Sequence, residues 1–374
     1  MKKICFIVSS PLTVSSFLLK HFEVLSKDFE LYLVANFNTN SPKNIPYVKK
    51  VYNLNISRQI HLINDFSSLF KLSIFFFKNN FDAVHTITPK AGLIGMLSSF
   101  FCGIKFRIHI FTGQVWYTKK GFIKLLLINF DRLISKLATN IIVDGNSQRD
   151  FLLSKNIFPE YKSIVLGYGS ISGVDIDRFT IKNDFRKIYR NRFNVNNDNV
   201  VFSFLGRLNR DKGVLDLVQA FNILHKKYNY SSLIIIGIDE ENLINKINNK
   251  YFNQAIIFVN HVENPEDILQ ISDVFCMPSY REGFGTSVIE ASSLSLPVIV
   301  SDTYGLKDTV INNVTGLKHN VGNVLDLFNK MEILLLNEDL RKKFGINGRK
   351  FVLDELSSKI ISNEWLKFYK DLLN

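Results

Sequence analysis

The sequence predicts an α/β protein built as two successive parallel-sheet layers. Three observations carry the prediction. Short, continuously apolar runs of strand length alternate with helical stripes, the pattern of strands buried on both faces between crossover helices. This alternation breaks once, at a glycine-rich stretch near the middle of the chain, and then starts again. With 374 residues, of which 46% are hydrophobic and 21% charged, the chain is long and apolar enough for two cores of ordinary domain size.

In the first half, residues 4–8, 30–36 and 82–87 read as strands. Phe17, Leu18, Phe22 and Leu25 form a helical stripe between the first two. The turn Ser9-Ser10-Pro11 lacks the G-x-G-x-x-G of a dinucleotide site. Residues 66–77 contain three consecutive phenylalanines near Lys71 and Lys78, and residues 91–101 carry no charge. Two readings of these segments stay open. They are core-facing helices, or amphipathic helices resting in a lipid interface, an option that Lys119, Lys120 and Lys124 around Phe122 also fit. Residues 106–116 read as a strand broken at Gly113. It leaves His109, Thr112, Gln114 and Trp116 near its C-terminal end, the edge where open α/β sheets bind ligands. His109 is a candidate base or hydrogen-bond donor. A helix over 125–137, a strand over 141–143 and a helix opening at Asn146 or Ser147 complete this half.

Residues 166–179 hold Gly167, Gly169 and Gly173 and form the expected hinge. Asp175-Ile176-Asp177 has the form of a D-x-D metal motif, but no further oxygen ligands gather in the sequence around it, and no metal site is expected. The second cycle opens with a strand over 200–205 that ends in Gly206-Arg207, followed by Asp211-Lys212-Gly213 and a helical stripe of Val214, Leu217, Val218 and Phe221. Further strands are expected over 233–237, 255–259, 273–277 and 297–302, and helices over 324–336, 338–351 and 360–373. The last is amphipathic, with Trp365, Phe368, Tyr369 and Leu372 on one side.

Cys5, Cys102 and Cys276 are few and far apart, which indicates a reducing compartment and gives no metal-ligand spacing. The apolar run after Met1-Lys2-Lys3 is too short for a signal peptide, and no stretch is long enough to span a bilayer. A cytoplasmic protein, peripherally associated with the inner membrane, is expected. The net charge of +12 sits in the first half: residues 1–185 hold 23 basic and 12 acidic residues, the remainder 23 and 22. That asymmetry fits the anionic inner face of a membrane, nucleic acid, or plain solubility. No nucleic-acid reading motif accompanies it, and none is assigned as a partner.

The chemistry concentrates in residues 280–290. Gly283 and Gly285 break the chain before a helix that begins near Thr286, so backbone N–H groups and the positive end of a helix dipole are exposed to an anion. Glu282 and Glu290 flank that turn, a pairing that suits a ligand with phosphates in its middle and hydroxyls at both ends. Arg207 and Lys212 lie at the same edge of the same sheet and supply a guanidinium and an ammonium for a pyrophosphate.

These residues carry a resemblance. Gly206-Arg207-Leu208-x-x-Asp211-Lys212-Gly213 resembles the G-R-L-x-x-x-K-G motif of family 4 glycosyltransferases, and Glu282-Gly283-Phe284-Gly285 with Glu290 resembles their E-x7-E motif. Asn312 to Leu317 is similar to a later glycine turn of the family, and Ser172-Gly173-Val174-Asp175 to its N-G-V-D hinge with Ser for Asn. Thr88 to Leu93 and Thr112 to Trp116 resemble the bacterial capsule and O-antigen branch. The resemblance implies a GT-B fold, two Rossmann-like domains facing across a cleft, with domains at 1–178 and 179–355 and a helix at 356–374 crossing back to the first. It implies a retaining transfer without cofactor or metal. The donor is a nucleotide sugar, a UDP-sugar by expectation. The acceptor is a lipid-linked saccharide at the inner membrane, and the sugar moved is a hexose or N-acetylhexosamine. Arg207 and Lys212 would hold the donor pyrophosphate. Glu282, with Gly283, Phe284, Gly285 and Thr286, would hold sugar hydroxyls and phosphate. Glu290 would hold the ribose, with Gly206 nearby, and Asn260, His261 and Val262 would lie near the base. Many members place a catalytic histidine directly before the first-domain glycine. Here Thr112 stands there and His109 lies three residues earlier, on the opposite strand face, so both are candidates. Rival readings are a UDP-sugar epimerase of the same fold and a non-catalytic scaffold that binds membrane or polysaccharide.

Overall fold

The computed structural model describes residues 1–37, 44–56, 61–182 and 184–373. The chain divides into two compact units, one of Met1–Gly173 with Ser358–Asn374 and one of Val174–Ser357. The first junction falls at Gly173/Val174 rather than at 178/179. Val174 N–H donates to Leu356 O, and Phe179 is buried in the core of the second unit, so this short segment packs with the second unit.

Unit 1 is a seven-stranded sheet in the order β3-β2-β1-β4-β5-β6-β7, every neighbouring pair parallel. Its strands are β1 (Lys2–Ile7), β2 (Phe29–Ala35), β3 (Lys50–Asn53), β4 (Ala83–Ile87), β5 (Phe106–Phe111), β6 (Asn140–Val143) and β7 (Ser163–Ile164). After β1 the chain coils through α1 (Pro11–Thr13), a π turn (Val14–Leu18) and α2 (Leu19–Leu25). Crossovers α3 (Leu62–Asn79), α4 (Pro89–Phe101), α5 (Gly121–Leu137) and α6 (Asn146–Ser154) come next. Alternation along the strands makes two cores. Cys5 and Ile7 face Leu72, Phe75 and Phe76 of α3, Ile94 of α4 and Ile134 of α5, while Ile4 and Phe6 face Phe22 of α2.

Unit 2 is a six-stranded parallel sheet in the order β10-β9-β8-β11-β12-β13. The chain enters through α7 (Phe185–Arg192). It then runs β8 (Val200–Leu205), α8 (Val214–Lys227), β9 (Ser231–Ile236), α9 (Leu243–Tyr251), β10 (Ile256–Val259), α10 (Pro265–Leu269), β11 (Val274–Met277), α11 (Thr286–Ser293), β12 (Val298–Ser301), β13 (Gly316–His319), α12 (Val324–Leu336) and α13 (Glu338–Glu355). In both units the strand order reverses beside the first strand, at β1/β4 and at β8/β11. In doubly wound sheets that switch point is where the carboxyl ends of the strands open a crevice.

The last helix, α14 (Ser358–Leu373), belongs to unit 1. Its buried Trp365 stacks on the His21 ring at 4.2 Å, Ser362 Oγ lies 2.9 Å from His21 Nδ1, and Tyr369 Oη lies 2.5 Å from His85 Nδ1. The aromatic stripe read from the sequence is therefore the side of α14 that packs into unit 1, beside α2.

Candidate active site

The polar residues at the carboxyl ends of β8 and β11 form one network. Gly206 N–H still bonds Ile236 O, and beyond it Arg207 leaves the sheet. The next turn is held by Asn209, whose side-chain oxygen accepts from Lys212 N–H at 3.2 Å. Gly213 then adopts φ +68°, and a Cβ there would stand 2.1 Å from Pro278 O. Only glycine lets this turn lie against the end of β11, which brings Lys212 to the second loop.

In that loop Lys212 Nζ donates to Glu282 Oε1, and Ser279 Oγ donates to the same oxygen at 2.9 Å. Two more ties join the segments. Arg281 Nε donates to Asp211 Oδ2 at 2.9 Å, and Tyr280 N–H donates to Asp211 O at 2.8 Å. Tyr280 Oη also donates to Asp216 Oδ2 at 2.7 Å, and burial with that carboxylate pushes the phenol up to about 12. Arg207 Nη1 reaches both oxygens of Glu240, at 2.9 and 3.1 Å, while Asn209 Nδ2 donates to Glu240 at 2.8 Å. Asn209 thus links the two basic residues, holding the Lys212 amide with its oxygen and Arg207's counter-ion with its nitrogen.

α11 opens from Gly285 at φ +78°, where a Cβ would meet Leu306 at 2.6 Å. Phe284 is buried and anchors the turn, so its side chain is packing while its backbone lines the loop with Gly283 and Thr286. The first N–H groups of α11 have no partner within the helix, which makes the turn an acceptor of negative charge. Glu290 lies one turn further on. Burial pushes its carboxyl up to about 7, a shift Arg178 opposes and Glu266 adds to. Arg178 is itself engaged by Glu266 through two bonds of 2.8 Å.

Asn260, His261 and Val262 come after β10 at the sheet edge, two strands from β8. Asn260 and His261 are exposed, and Val262 is partly buried. They share the carboxyl edge of the sheet with the network and stand at its far end.

In unit 1, His109 is buried in the core. Its Nδ1 lies 2.7 Å from Thr86 Oγ1, its ring packs so closely on α4 that a Cβ at Gly92 would sit 2.5 Å away, and burial lowers it to about 3. The structure does not bring this candidate base to a surface, because its ring fills the space between β5 and the glycine of α4. Thr112 is partly exposed past the end of β5, and its carbonyl accepts from Gln148 at 2.9 Å and Gln114 at 3.1 Å. Sequence reasoning quoted Asp211 within its motif without giving it a role and missed Glu240, Asp216 and Arg178, carboxylates and a cation that look like surface charges until the loops are folded together.

A family model described as glycosyl transferases group 1 matches residues 185–351. The chain is 35% identical over 321 residues to a capsular polysaccharide biosynthesis glycosyltransferase, CapM, of Staphylococcus aureus, covering 85% of this chain and 84% of that one. It is 25% identical over 267 residues to an Escherichia coli UDP-Gal:alpha-D-GlcNAc-diphosphoundecaprenol alpha-1,3-galactosyltransferase, covering 70% and 68%. Among solved structures, Anabaena HepE in complex with UDP and glucose superimposes with a TM-score of 0.82 at 15% identity, over 99% of this chain and 100% of that one.

Proposed function

The chain belongs to the family 4 glycosyltransferases, and we propose that it transfers a hexose or N-acetylhexosamine from a UDP-sugar to a saccharide carried on a polyprenyl diphosphate during capsule or O-antigen synthesis. The observation that carries this reading is the network at the β8/β11 switch point, where a guanidinium, an ammonium and a helix N-terminus gather beside two glutamates. The relatives support the substrate class: one is named for capsular polysaccharide, another for a UDP-sugar donor and a diphosphoundecaprenol acceptor.

In the proposed reaction the acceptor hydroxyl attacks the anomeric carbon from the face the diphosphate leaves. The new C–O bond forms as the bond from the anomeric carbon to the phosphate oxygen breaks, and that phosphate oxygen takes the hydroxyl proton. Arg207 and Lys212 exchange Glu240 and Glu282 for the donor diphosphate and stabilise the charge that grows on it, the effect that contributes most to such catalysis. Lys212 then frees Glu282 to accept from sugar hydroxyls, while the N–H groups of the Gly283 to Thr286 turn hold phosphate. Glu290 holds the ribose, with Gly206 beside it, and Asn260, His261 and Val262 lie toward the base. In unit 1 we assign Thr112, not His109, to substrate contact. No metal or cofactor enters this scheme, because side chains and the helix end supply the positive charge.

The test is incubation of the protein with a panel of labelled nucleotide sugars and short-chain polyprenyl-diphosphate saccharides, with and without EDTA, and determination of the product anomer. A product that keeps the donor's anomeric configuration, formed equally with EDTA, is expected. An inverted product would overturn the retaining mechanism, and loss of transfer in EDTA the metal-free one.

A further inference from the structure

One face of unit 1 is used neither by the core nor by the transfer chemistry. α3 buries Leu72 and Phe76, yet Phe66, Phe70 and Phe77 are 73%, 67% and 66% exposed. With the exposed Ile63 and Ile74 they fall within about an 80° arc of the helix, opposite the buried side. α3 packs beside α4 and α4 beside α5, and the same three-helix layer exposes Phe101 at the end of α4 and Phe122 and Leu125 at the start of α5.

The charges around this stripe are mostly positive. Residues 62–137 contain ten Lys or Arg and three carboxylates. Asp65 pairs with Lys90 at 2.8 Å, Asp82 pairs with Lys2 at 3.2 Å, and Asp131 is buried and accepts from Trp116 Nε1 at 2.6 Å. All three acidic groups are thus engaged, while Lys71, Lys78, Lys119 and Lys120 are exposed. A second copy of the chain docking face to face would set lysines against lysines, which disfavours it. A surface of phosphate headgroups over acyl chains matches both features, since lysines meet the phosphates and phenylalanines enter the boundary below them. No helix among the described residues is long and apolar enough to cross a membrane, so the layer would rest on the bilayer.

We propose that the outer face of α3, with the ends of α4 and α5, docks this protein onto an anionic lipid bilayer. This rests on the proposed function in one respect: a polyprenyl-linked acceptor lies at such a surface. Docking would hold the enzyme where its acceptor is confined.

The test is sedimentation of the full chain with vesicles of phosphatidylcholine alone and of phosphatidylcholine with about one-third phosphatidylglycerol. Binding should be at least about tenfold tighter to the anionic vesicles and should fall sharply in about 1 M salt, where the screening length drops to about 3 Å. The triple variant Phe66→Ser, Phe70→Ser, Phe77→Ser and the double variant Lys71→Glu, Lys78→Glu should each lose at least about tenfold in vesicle affinity. Both should keep the wild-type melting temperature and wild-type transfer to a short-chain acceptor in solution. Equal binding to neutral vesicles, or unchanged binding by either variant, overturns the proposal. So does a wild-type dimer in light scattering that the phenylalanine variant dissolves, with no vesicle binding. A chain that transfers sugar in solution but ignores vesicles leaves the enzymatic reading standing and removes only this one. A chain that binds vesicles but transfers nothing does the reverse.

Discussion

The two units wind their strands in the same order around the same kind of switch point, and they use it differently. At β8/β11 of unit 2, basic and acidic side chains are cross-tied into a polar network: Lys212 to Glu282, Arg207 to Glu240, Arg281 to Asp211. At β1/β4 of unit 1 the tie between the two loops is uncharged, with Thr88 Oγ1 donating to Ser9 Oγ at 3.1 Å. Unit 1 carries its excess of basic residues elsewhere, among them Lys71 and Lys78 on α3 and Lys119 and Lys120 before α5, and three histidines, His21, His85 and His109, are buried within it. One scaffold thus serves two electrostatic designs. Paired charges at a crevice can be exchanged for a charged ligand, while exposed lysines over an apolar face favour an extended anionic surface.

The largest effects should separate the two cores. Arg190 is buried, donates to Asp273 Oδ2 at 2.8 Å and also serves the carbonyls of Ile271, Asn197 and Asn199. Arg190→Ala takes one of its two cations from Asp273, which keeps Arg186 at 2.7 Å, and strips donors from the carbonyls of Ile271, Asn197 and Asn199; together this should cost about 3–5 kcal/mol. Hydrogen exchange should report that loss in unit 2. Trp365→Ala removes the ring that stacks on His21 and should cost a similar amount, about 3–5 kcal/mol, in unit 1. If either substitution loosens both units equally, the independence of the two cores is wrong.

Acidity offers a second contrast. Burial lowers His21 to about 4 and His109 to about 3, and holds His85 well below its ordinary value. The folded state refuses protons that the unfolded chain accepts below about pH 6.5, so this contribution to stability is present above that pH and is lost as pH falls toward 4 and 3. Glu290 has the opposite sign. Raised to about 7, it keeps a proton the unfolded chain releases near 4.5, so its contribution is present at low pH and is lost as pH rises through 7. Asp131 in unit 1, raised to about 7 by burial, opposes the histidines there, one group against three. In unit 2 the buried His319, held below its ordinary value by burial, opposes Glu290, so between pH 4.5 and 6.5 acidification should destabilise unit 1 more than unit 2, as exchange rates in each unit would record. Glu290→Gln removes the opposing carboxyl and should make unit 2 alone more sensitive to acid.

The smallest effect concerns Arg207. Its pair with Glu240 is half exposed and contributes about 0.2–1 kcal/mol. Glu240→Gln should release the guanidinium and tighten UDP binding up to about fivefold in calorimetry. Weaker binding would mean that Glu240 positions Arg207 for the ligand instead of competing with it.

Much of this architecture was legible because parallel strands are buried on both faces and so read as continuous apolar runs, as in β9 and β12. β3 and β7 escaped notice because edge strands are short and half-exposed, and Lys-Val-Tyr-Asn carries no period. α7 escaped because Phe185–Arg192 reads as a charged surface segment, although Arg190 is among the most buried large side chains in the chain. The motifs at Gly206–Gly213 and Glu282–Glu290 pointed to the network, but its counter-ions did not show. Lys212 and Glu282 are 70 residues apart, and Glu240 comes after a different strand, so their pairing exists only once β8, β9 and β11 are adjacent. His109 misled for the converse reason. Its position near the carboxyl end of a strand suggested an open site, and the glycine in α4 that lets the ring be covered, Gly92, lies well back in the chain, before β5 begins.

The central claim is that Lys212 turns the β8/β11 network into a site for sugar transfer. The direct measurement is single-turnover transfer from a saturating UDP-sugar to a short-chain polyprenyl-diphosphate saccharide, by the wild-type chain and by Lys212→Ala of matched thermal stability. Loss of the ammonium should slow the chemical step about a hundredfold or more. A Lys212→Ala chain that transfers sugar at the wild-type rate would contradict this role for the lysine.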